Sequence, residues 1–234
     1  MLTEPSSTFT RRRSPVSTDR ARVAALRAWG AALVGVFVLL AVLTAVKAFK
    51  GPDQSVDDTL NRFALSHAGV TDLLKAVTQA GEPTIALGLG LLAAVAFYAA
   101  RMRSSATFAA AAVIGAYAIA YIAKKAVNRH RPRWDAAHTV VTDHGASFPS
   151  GHATGSSALA TVLIVAAVPL LASVAARRVA VIVLVLYVLT MVVSRPILGV
   201  HFPTDVLAGA VLGSGWALVC ASVVRPWLDR PSAG

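Results

Sequence analysis

Cysteine and charge are both scarce in this sequence. Of 234 residues one is a cysteine, Cys220, and only 14% are charged. A single thiol excludes a disulfide framework and a cysteine-based metal site, so we interpret Cys220 as a small core residue. The low share of charge, together with 56% hydrophobic residues, is unusual for a water-soluble domain of this length. The composition therefore predicts a membrane protein.

Long stretches without any charged residue recur along the chain. A helix needs about 20 apolar residues to cross ~30 Å of hydrocarbon, and tilt accommodates shorter or longer runs. Gly, Ala and Ser are frequent within the runs, as in helices that pack closely in lipid. The sequence predicts an all-α, integral membrane bundle of six transmembrane helices in one domain, residues 28–225. The runs are 28–46, 84–100, 104–123, 153–176, 179–194 and 206–224.

Both ends of the chain are predicted to lie outside this bundle. Residues 1–27 are rich in Ser, Thr, Pro and Arg and are expected to form a disordered basic tail. Residues 226–234 are expected to form a second, short tail. Between the first two runs, apolar residues recur at helical spacing among polar ones over 56–77. That pattern predicts one or two short helices at the membrane surface.

The arginines set the expected orientation. They cluster in the first tail, in the second and fourth connections and after the last run, and these segments are predicted to be cytoplasmic. The connection 51–83 holds more acidic than basic residues, which fits the opposite side. The same arginines account for most of the net charge of +11, so nucleic acid is not an expected partner. We expect a bacterial plasma membrane protein with both termini in the cytoplasm.

Polar residues are concentrated in three segments at predicted helix ends. The segments read KKAVNRHRPRW over 124–134, PSGH over 149–152 and SRPILGVHFPTD over 194–205. In the expected orientation all three lie at the extracytoplasmic face. This agreement is informative because the apolar runs were defined only by their lack of charge.

The residue types in these segments suit a phosphate ester. Lys124, Arg131 and Arg195 supply cations for a phosphate and for the added charge of its transition state. Ser150 adds a hydroxyl, and Gly151 lets the free N–H groups of a helix start approach an anion. Asp205 is the sole acidic residue in the segments, so neither a divalent metal nor another cofactor is expected.

Two histidines are expected to take different roles. His201 and Asp205 are four residues apart, and Pro203 is expected to begin the last helix, which brings the carboxylate within reach of one imidazole nitrogen. The other nitrogen is then free to act as a nucleophile. His152, at the start of a different helix, is expected to protonate the leaving oxygen as a general acid.

The order and spacing of these residues resemble the type 2 phosphatidic acid phosphatase superfamily, which also includes vanadium haloperoxidases. The matching patterns are Lys, six residues and Arg-Pro; Pro-Ser-Gly-His; and Ser-Arg, five residues, His, three residues and Asp. The resemblance implies a metal-independent phosphatase with a phosphohistidine on His201, acid help from His152 and orientation by Asp205. It also implies phosphate contacts from Lys124, Arg131, Ser150, Gly151 and Arg195.

Several alternatives stay open. We expect a membrane lipid phosphatase that acts on a polyprenyl diphosphate, such as undecaprenyl diphosphate, ahead of phosphatidic acid and phosphatidylglycerophosphate. A phosphatase or phosphotransferase for a lipid-linked sugar phosphate would use the same histidines. A silent channel or scaffold would not need the motifs, and haloperoxidases that share them are soluble. We interpret Lys125 as an anchor at the membrane surface and do not assign catalysis to Arg129 or Arg133.

Overall fold

The computed structural model describes residues 15–229, with side chains from residue 18 onward. In this range the chain is helical throughout its regular structure, which confirms the predicted all-α class. The helices are α1 Pro15–Ala45, α2 Lys50–Ser66, α3 Ala68–Thr78, α4 Pro83–Ala99, α5 Arg103–Val127, α6 Gly151–Val162, α7 Val174–Ile197 and α8 Pro203–Val224.

Five described segments are long and apolar enough to cross a membrane by themselves. They lie in α1, in α5, in Gly151–Leu170, in α7 and in α8. The second predicted span, 84–100, corresponds to α4, which has only 17 residues, or about 26 Å at 1.5 Å per residue. It meets the same criterion together with Ala68–Gly81, across a bend of 41°. The bundle therefore has five spans, or six when this bent pair is counted, in agreement with the sequence.

The amino-terminal tail is more ordered than the sequence predicts. Helix α1 begins at Pro15, so the expectation of disorder is wrong for residues 15–27, and residues 1–14 lie outside the described part. Ala, Arg and Leu before the first apolar run are strong helix formers. The segment also packs on the other end of the chain, where Trp227 Nε1 donates to Asp19 Oδ1 at 2.6 Å.

The start of the carboxyl-terminal tail is also packed. A 3-10 turn, Pro226–Asp229, follows α8. The carboxylate of Asp229 accepts a hydrogen bond from the backbone N–H of Ser105 at 2.7 Å, and Ser105 Oγ donates to the Pro226 carbonyl at 3.1 Å. These bonds attach the end of α8 to the start of α5. Residues 230–234 of the predicted tail lie outside the described part.

The fourth apolar run is not one helix. Helix α6 continues beyond Val162 as a π-helical turn and then a 3-10 turn, Val168–Leu170, which contains Pro169. Proline has no N–H to donate to the helix, so the regular pattern stops there. Ser173 then caps α7 by accepting from the Ala176 N–H at 3.0 Å. The predicted run, which extended to Ala176, therefore joined the end of one helix to the start of the next.

Two helices occupy the connection between α1 and α4, as the pattern over 56–77 predicts. Helices α2 and α3 are separated by a single residue, His67, and both pack against α7. Asp53, Asp57 and Asn61 of α2 are buried although they are polar. Helix α2 therefore presents a polar face to the inside of the protein at one end of the bundle.

Helix α8 lies at the centre of the bundle and packs on α1, α5 and α6. Its contact with α6 is unusually close. A Cβ atom on Gly209 would lie 2.6 Å from the carbonyl oxygen of Ser150, and one on Gly213 would lie 2.3 Å from that of Thr154. Glycine is therefore required at both positions, and the close approach brings the start of α6 beside Asp205.

Candidate active site

The three polar segments meet at one end of the bundle. The end of α5, the starts of α6 and α8 and the end of α7 all lie there. The Ser150 N–H donates to the Asp205 carbonyl at 3.0 Å, which joins the starts of α6 and α8. Lys124 Nζ donates to the Ala146 carbonyl at 2.8 Å, which joins the end of α5 to the segment before α6.

His201 lies between a guanidinium and a carboxylate. It is 1% exposed, its Nε2 is 3.0 Å from Nη1 of Arg131 and its Nδ1 is 3.6 Å from Oδ2 of Asp205. A guanidinium only donates hydrogen bonds, so Nε2 carries the lone pair and Nδ1 carries the hydrogen. Burial lowers the pKa of His201 below its ordinary value, which keeps the imidazole neutral at pH 7. A neutral imidazole with an unprotonated Nε2 has the form of a nucleophile once a phosphate takes the place of Arg131 at that nitrogen.

Ser147 is a neighbour of this pair that the sequence does not predict. Its fully buried hydroxyl donates to Asp205 Oδ2 and lies 3.4 Å from His201 Nδ1. The same carboxylate oxygen accepts from the Phe202 N–H at 2.9 Å. At 3.6 Å, the expected contact between His201 and Asp205 is longer than a hydrogen bond. Ser147 contacts both side chains. Nothing in the sequence distinguishes Ser147 from other serines.

Arg129 forms ion pairs with two buried carboxylates, which its sequence context does not predict. Its Nη1 donates to Asp205 Oδ1 at 2.8 Å, and its Nη2 donates to Asp53 Oδ2 at 2.6 Å. Asp53 accepts in addition from the Thr204 N–H at 3.2 Å. Arg129 thus connects α2 to the carboxylate that faces His201. Because Asp53 is distant in the sequence, no local motif contains this connection.

Arg131 and Arg195 share one carboxylate, that of Asp143. Oδ2 of Asp143 is 3.0 Å from Arg131 Nη1 and 3.2 Å from Arg195 Nη2. Burial opposes ionisation of this carboxyl, but the two arginines and the His144 N–H hold its pKa below the ordinary value. An anionic oxygen between two guanidiniums has the contacts with which arginines commonly bind carboxylate or phosphate oxygens. Asp143 lies outside the three polar segments and is not predicted from the sequence.

Ser150 and Gly151 lie where α6 begins. The Ser150 hydroxyl is buried and has no hydrogen-bond partner among the described residues, which leaves it available to a ligand. A Cβ atom on Gly151 would lie 2.8 Å from Cγ of Pro83, so a larger residue would press on the start of α4. The first N–H groups of α6 have no partner within the helix and suit an anion.

His152 follows in the first turn of α6. Its Nε2 is 3.4 Å from Oε2 of Glu82, a half-exposed residue that precedes α4. Glu82 is a further neighbour that the sequence does not predict.

The structure brings all eight predicted residues to one end of the bundle: Lys124, Arg131, Ser150, Gly151, His152, Arg195, His201 and Asp205. The described residues hold no group of three or more His, Cys, Asp or Glu side chains arranged to bind a metal ion.

An apolar cavity of about 150 Å³ adjoins this cluster between α4, α5 and α6. Lys124 and Gly151 lie at its polar end, and its walls include Ala86, Val113 and Tyr117. Its lining therefore combines a cationic side chain and a helix start at one end with apolar side chains along the rest.

Known proteins resemble this chain in both sequence and fold. A sequence model described as the PAP2 superfamily matches residues 105–229. The decaprenylphosphoryl-5-phosphoribose phosphatase of Mycobacterium tuberculosis is 34% identical over 157 residues, which cover 66% of this chain and 81% of that protein. The protein of the same name from Mycolicibacterium smegmatis is 36% identical over 142 residues, which cover 60% and 72% of the two chains.

A crystal structure of a transmembrane PAP2 type phosphatidylglycerolphosphate phosphatase from Bacillus subtilis has the same fold. The two structures superpose with a TM-score of 0.65 at 21% identity, over 87% of this chain and 98% of that chain. The family match covers more than half of the sequence. It includes the end of α5, the start of α6, the end of α7 and the start of α8, where the three polar segments meet. The chain belongs to the PAP2 superfamily and is a membrane-spanning phosphatase.

Proposed function

We propose that this membrane lipid phosphatase removes the terminal phosphate of a lipid-linked sugar phosphate through a phosphohistidine on His201. The observation that supports the mechanism is the unprotonated Nε2 of His201, which lies 3.0 Å from Arg131 Nη1 among the other predicted phosphate ligands. The substrate class is supported by the relatives, which are named for decaprenylphosphoryl-5-phosphoribose. This reverses the order expected from the sequence alone, which favoured a polyprenyl diphosphate.

The first step is attack of His201 Nε2 on phosphorus. As the new N–P bond forms, the bond from phosphorus to the sugar oxygen breaks, and the imidazole becomes positively charged. Asp205 Oδ2, 3.6 Å from Nδ1, and the nearby Ser147 hydroxyl stabilise this charge. Arg129 keeps Asp205 in place from the other side through its bond to Oδ1.

Cations bind the phosphate while its charge is redistributed. Arg131 and Arg195 donate hydrogen bonds to the phosphate oxygens in the space where the Asp143 carboxylate now lies. The Asp143 carboxylate is therefore displaced when substrate binds. Lys124, the free Ser150 hydroxyl and the first N–H groups of α6 complete the set. Since these groups supply the charge compensation, phosphate release is expected to continue without a divalent metal.

His152 gives its proton to the sugar oxygen as the bond breaks, so the alcohol leaves neutral. In the second step His152 accepts a proton from water, whose oxygen attacks phosphorus. The N–P bond to His201 breaks, and inorganic phosphate is released. His201 then returns to its neutral form. His152 then again carries the proton that the next turnover needs, and the Glu82 carboxylate, 3.4 Å from His152 Nε2, favours this charged form.

The apolar cavity beside Lys124 supports a lipid substrate over a soluble ester. Its apolar walls suit a hydrocarbon chain, which a soluble ester does not have. Arginines at the opposite end of the bundle, Arg20, Arg22, Arg27, Arg101, Arg103, Arg177, Arg178 and Arg225, support a cytoplasmic location for that end. We therefore place the site at the extracytoplasmic face of a bacterial plasma membrane.

Phosphate release by the purified full chain tests the proposal. The protein in detergent with EDTA is given decaprenylphosphoryl-5-phosphoribose, undecaprenyl diphosphate, phosphatidic acid and phosphatidylglycerophosphate in parallel. The expected result is release in EDTA with the sugar-linked lipid preferred, lost in His201→Ala but retained in His67→Ala, which removes an exposed histidine between α2 and α3. Preference for a polyprenyl diphosphate would overturn the substrate class, and activity of His201→Ala would overturn the nucleophile.

A further inference from the structure

A second cavity, of about 550 Å³, adjoins the candidate active site. It lies between the end of α1, the start of α2 and the segment after α5, and it shares Arg131 with the phosphate site. None of its lining residues in the described chain is acidic, whereas five are cationic: Lys47, Lys50, Arg129, Arg131 and Arg133. A concave surface with charge of one sign concentrates ligands of the opposite sign.

The cations of this cavity are not all compensated. Arg129 pairs with Asp53 and Asp205, and Arg131 pairs with Asp143. Lys47, Lys50 and Arg133 have no carboxylate within ion-pair distance among the described residues. Three unpaired positive charges around one space leave a site that an anionic ligand would complete.

The position of the cavity suggests the source of such an anion. Arg131 contacts both this space and the nucleophilic nitrogen of His201, and Phe202, the next residue, forms part of the cavity wall. A ligand group held here would lie beside a phosphate that reacts at His201. Lys47, Lys50 and Arg133 are exposed to solvent, but all three line one concave space together with Arg131.

We infer that this cavity binds a second phosphate group, in the form of a lipid phosphodiester, which the enzyme does not cleave. A lipid-linked sugar phosphate carries such a diester between lipid and sugar, in addition to the terminal monoester. An anionic phospholipid of the surrounding membrane carries the same group. The first source rests on the proposed function, whereas the second does not.

Charge-removing variants test the inference. The triple variant Lys47→Gln, Lys50→Gln and Arg133→Gln is compared with a matched control, Arg62→Gln, Lys75→Gln and Lys125→Gln, which removes equal charge outside the cavity. Both are assayed in neutral detergent on decaprenylphosphoryl-5-phosphoribose and phosphatidic acid. The cavity variant is expected to raise KM for the two-phosphate lipid at least ~10-fold more than for phosphatidic acid, because phosphatidic acid has no second phosphate for the lost cations to attract. The control is expected to keep the wild-type ratio.

A second arm identifies the source of the diester and does not require turnover. Phosphatidylglycerol retained by each purified variant is measured by native mass spectrometry. Loss of retention in the cavity variant alone, with an unchanged substrate ratio, would assign the site to a membrane lipid. Equal ratios and equal retention in both variants would overturn the cavity as a phosphate site. If wild type cleaves phosphatidic acid but ignores the sugar-linked lipid, the proposed substrate fails while retention still tests the cavity.

Discussion

Arg131 Nη1 lies 3.0 Å from His201 Nε2 and donates to the Val200 carbonyl at 2.7 Å. Because a guanidinium cannot accept a hydrogen bond, this contact selects the imidazole nitrogen that keeps its lone pair. One side chain thus both selects the reactive nitrogen and is expected to bind the phosphate that this nitrogen attacks.

Replacing Arg131 by lysine is expected to reduce kcat strongly. Lysine keeps a positive charge but loses the fork that reaches His201 and a phosphate oxygen together. Loss of one positioned donor to a transition-state oxyanion lowers kcat by about 10²–10³-fold. Steady-state kinetics on the preferred lipid measures the loss of kcat. Arg62→Lys, which changes an exposed arginine of α2, is the control. A kcat within about threefold of wild type would show that charge alone suffices.

Asp143→Asn is expected to strengthen the binding of inorganic anions. The carboxylate occupies the space between Arg131 and Arg195, so it competes with any phosphate or vanadate that binds there. The Asp143 carboxylate is partly exposed, and a partly exposed ion pair contributes at most about 1 kcal/mol of stabilisation. Its removal therefore corresponds to an affinity gain of up to ~5-fold. The inhibition constant of vanadate measures the change. Weaker inhibition in the variant would mean that Asp143 orients the two arginines and does not compete with the ligand.

Arg129 is expected to act as a positioning residue through Asp205. In Arg129→Leu, the buried carboxylates of Asp53 and Asp205 lose their shared partner, and Asp205 is free to shift relative to His201. Displacement of a catalytic group lowers kcat by tenfold or more, on the order of 10²-fold for a shift of 1 Å. The expected kinetic signature is a lower kcat with little change in KM.

Arg129→Lys serves as the conservative variant for this test. A lysine can still pair with one carboxylate, so partial recovery of kcat is expected. Thermal unfolding is recorded for each variant because breaking a buried pair also destabilises the fold. A purely structural role for Arg129 would instead give equal losses of folded protein and activity, with an unchanged kcat per folded molecule.

Asp57 predicts a pH dependence of stability. Burial, followed by the nearby Asp205, Asp53 and Asp58 carboxylates, raises the pKa of Asp57 to about 8 from 3.8. Between these values the folded protein keeps a proton that the unfolded chain releases, so stability falls as pH rises through this window. Asp57→Asn has no such proton, so its unfolding temperature is expected to exceed that of wild type increasingly from pH 4 to pH 8. A pH-independent difference between the two would contradict a buried, neutral Asp57.

The contact between α6 and α8 gives a test of how the fold positions the site. Gly209→Ala would bring a Cβ atom to 2.6 Å from the Ser150 carbonyl and push the start of α6 away from Asp205. Reduced activity and a lower unfolding temperature are expected. Gly88→Ala is the matched control because its Cβ would meet nothing within 4 Å, and it is expected to stabilise α4 by up to ~1 kcal/mol. Equal behaviour of the two variants would contradict the close packing.

The sequence predicted the helical bundle and the principal residues because both depend on local patterns. A run without charge identifies a span, and short motifs at helix ends identify Lys124, Arg131, His152, Arg195 and His201. The absence of charge did not locate two helix boundaries. The helical segment that begins with α6 ends around Pro169, within an uncharged run, and α1 begins at Pro15, before its uncharged run starts. An uncharged run cannot show a break between two helices, and a polar composition does not exclude a helix that packs on Trp227.

Only the tertiary structure decided which groups complete the site. Asp53, Asp143 and Ser147 reach the predicted catalytic residues through packing between helices and loops that are distant in the sequence. Their roles depend on hydrogen bonds of about 3 Å, and no spacing in the chain encodes contacts of that precision. The sequence by itself determined which chemical groups are present and at which helix ends they lie. The close packing of α6 on α8 and of α2 on α7 determined the distances between those groups, because those distances depend on how the helices pack.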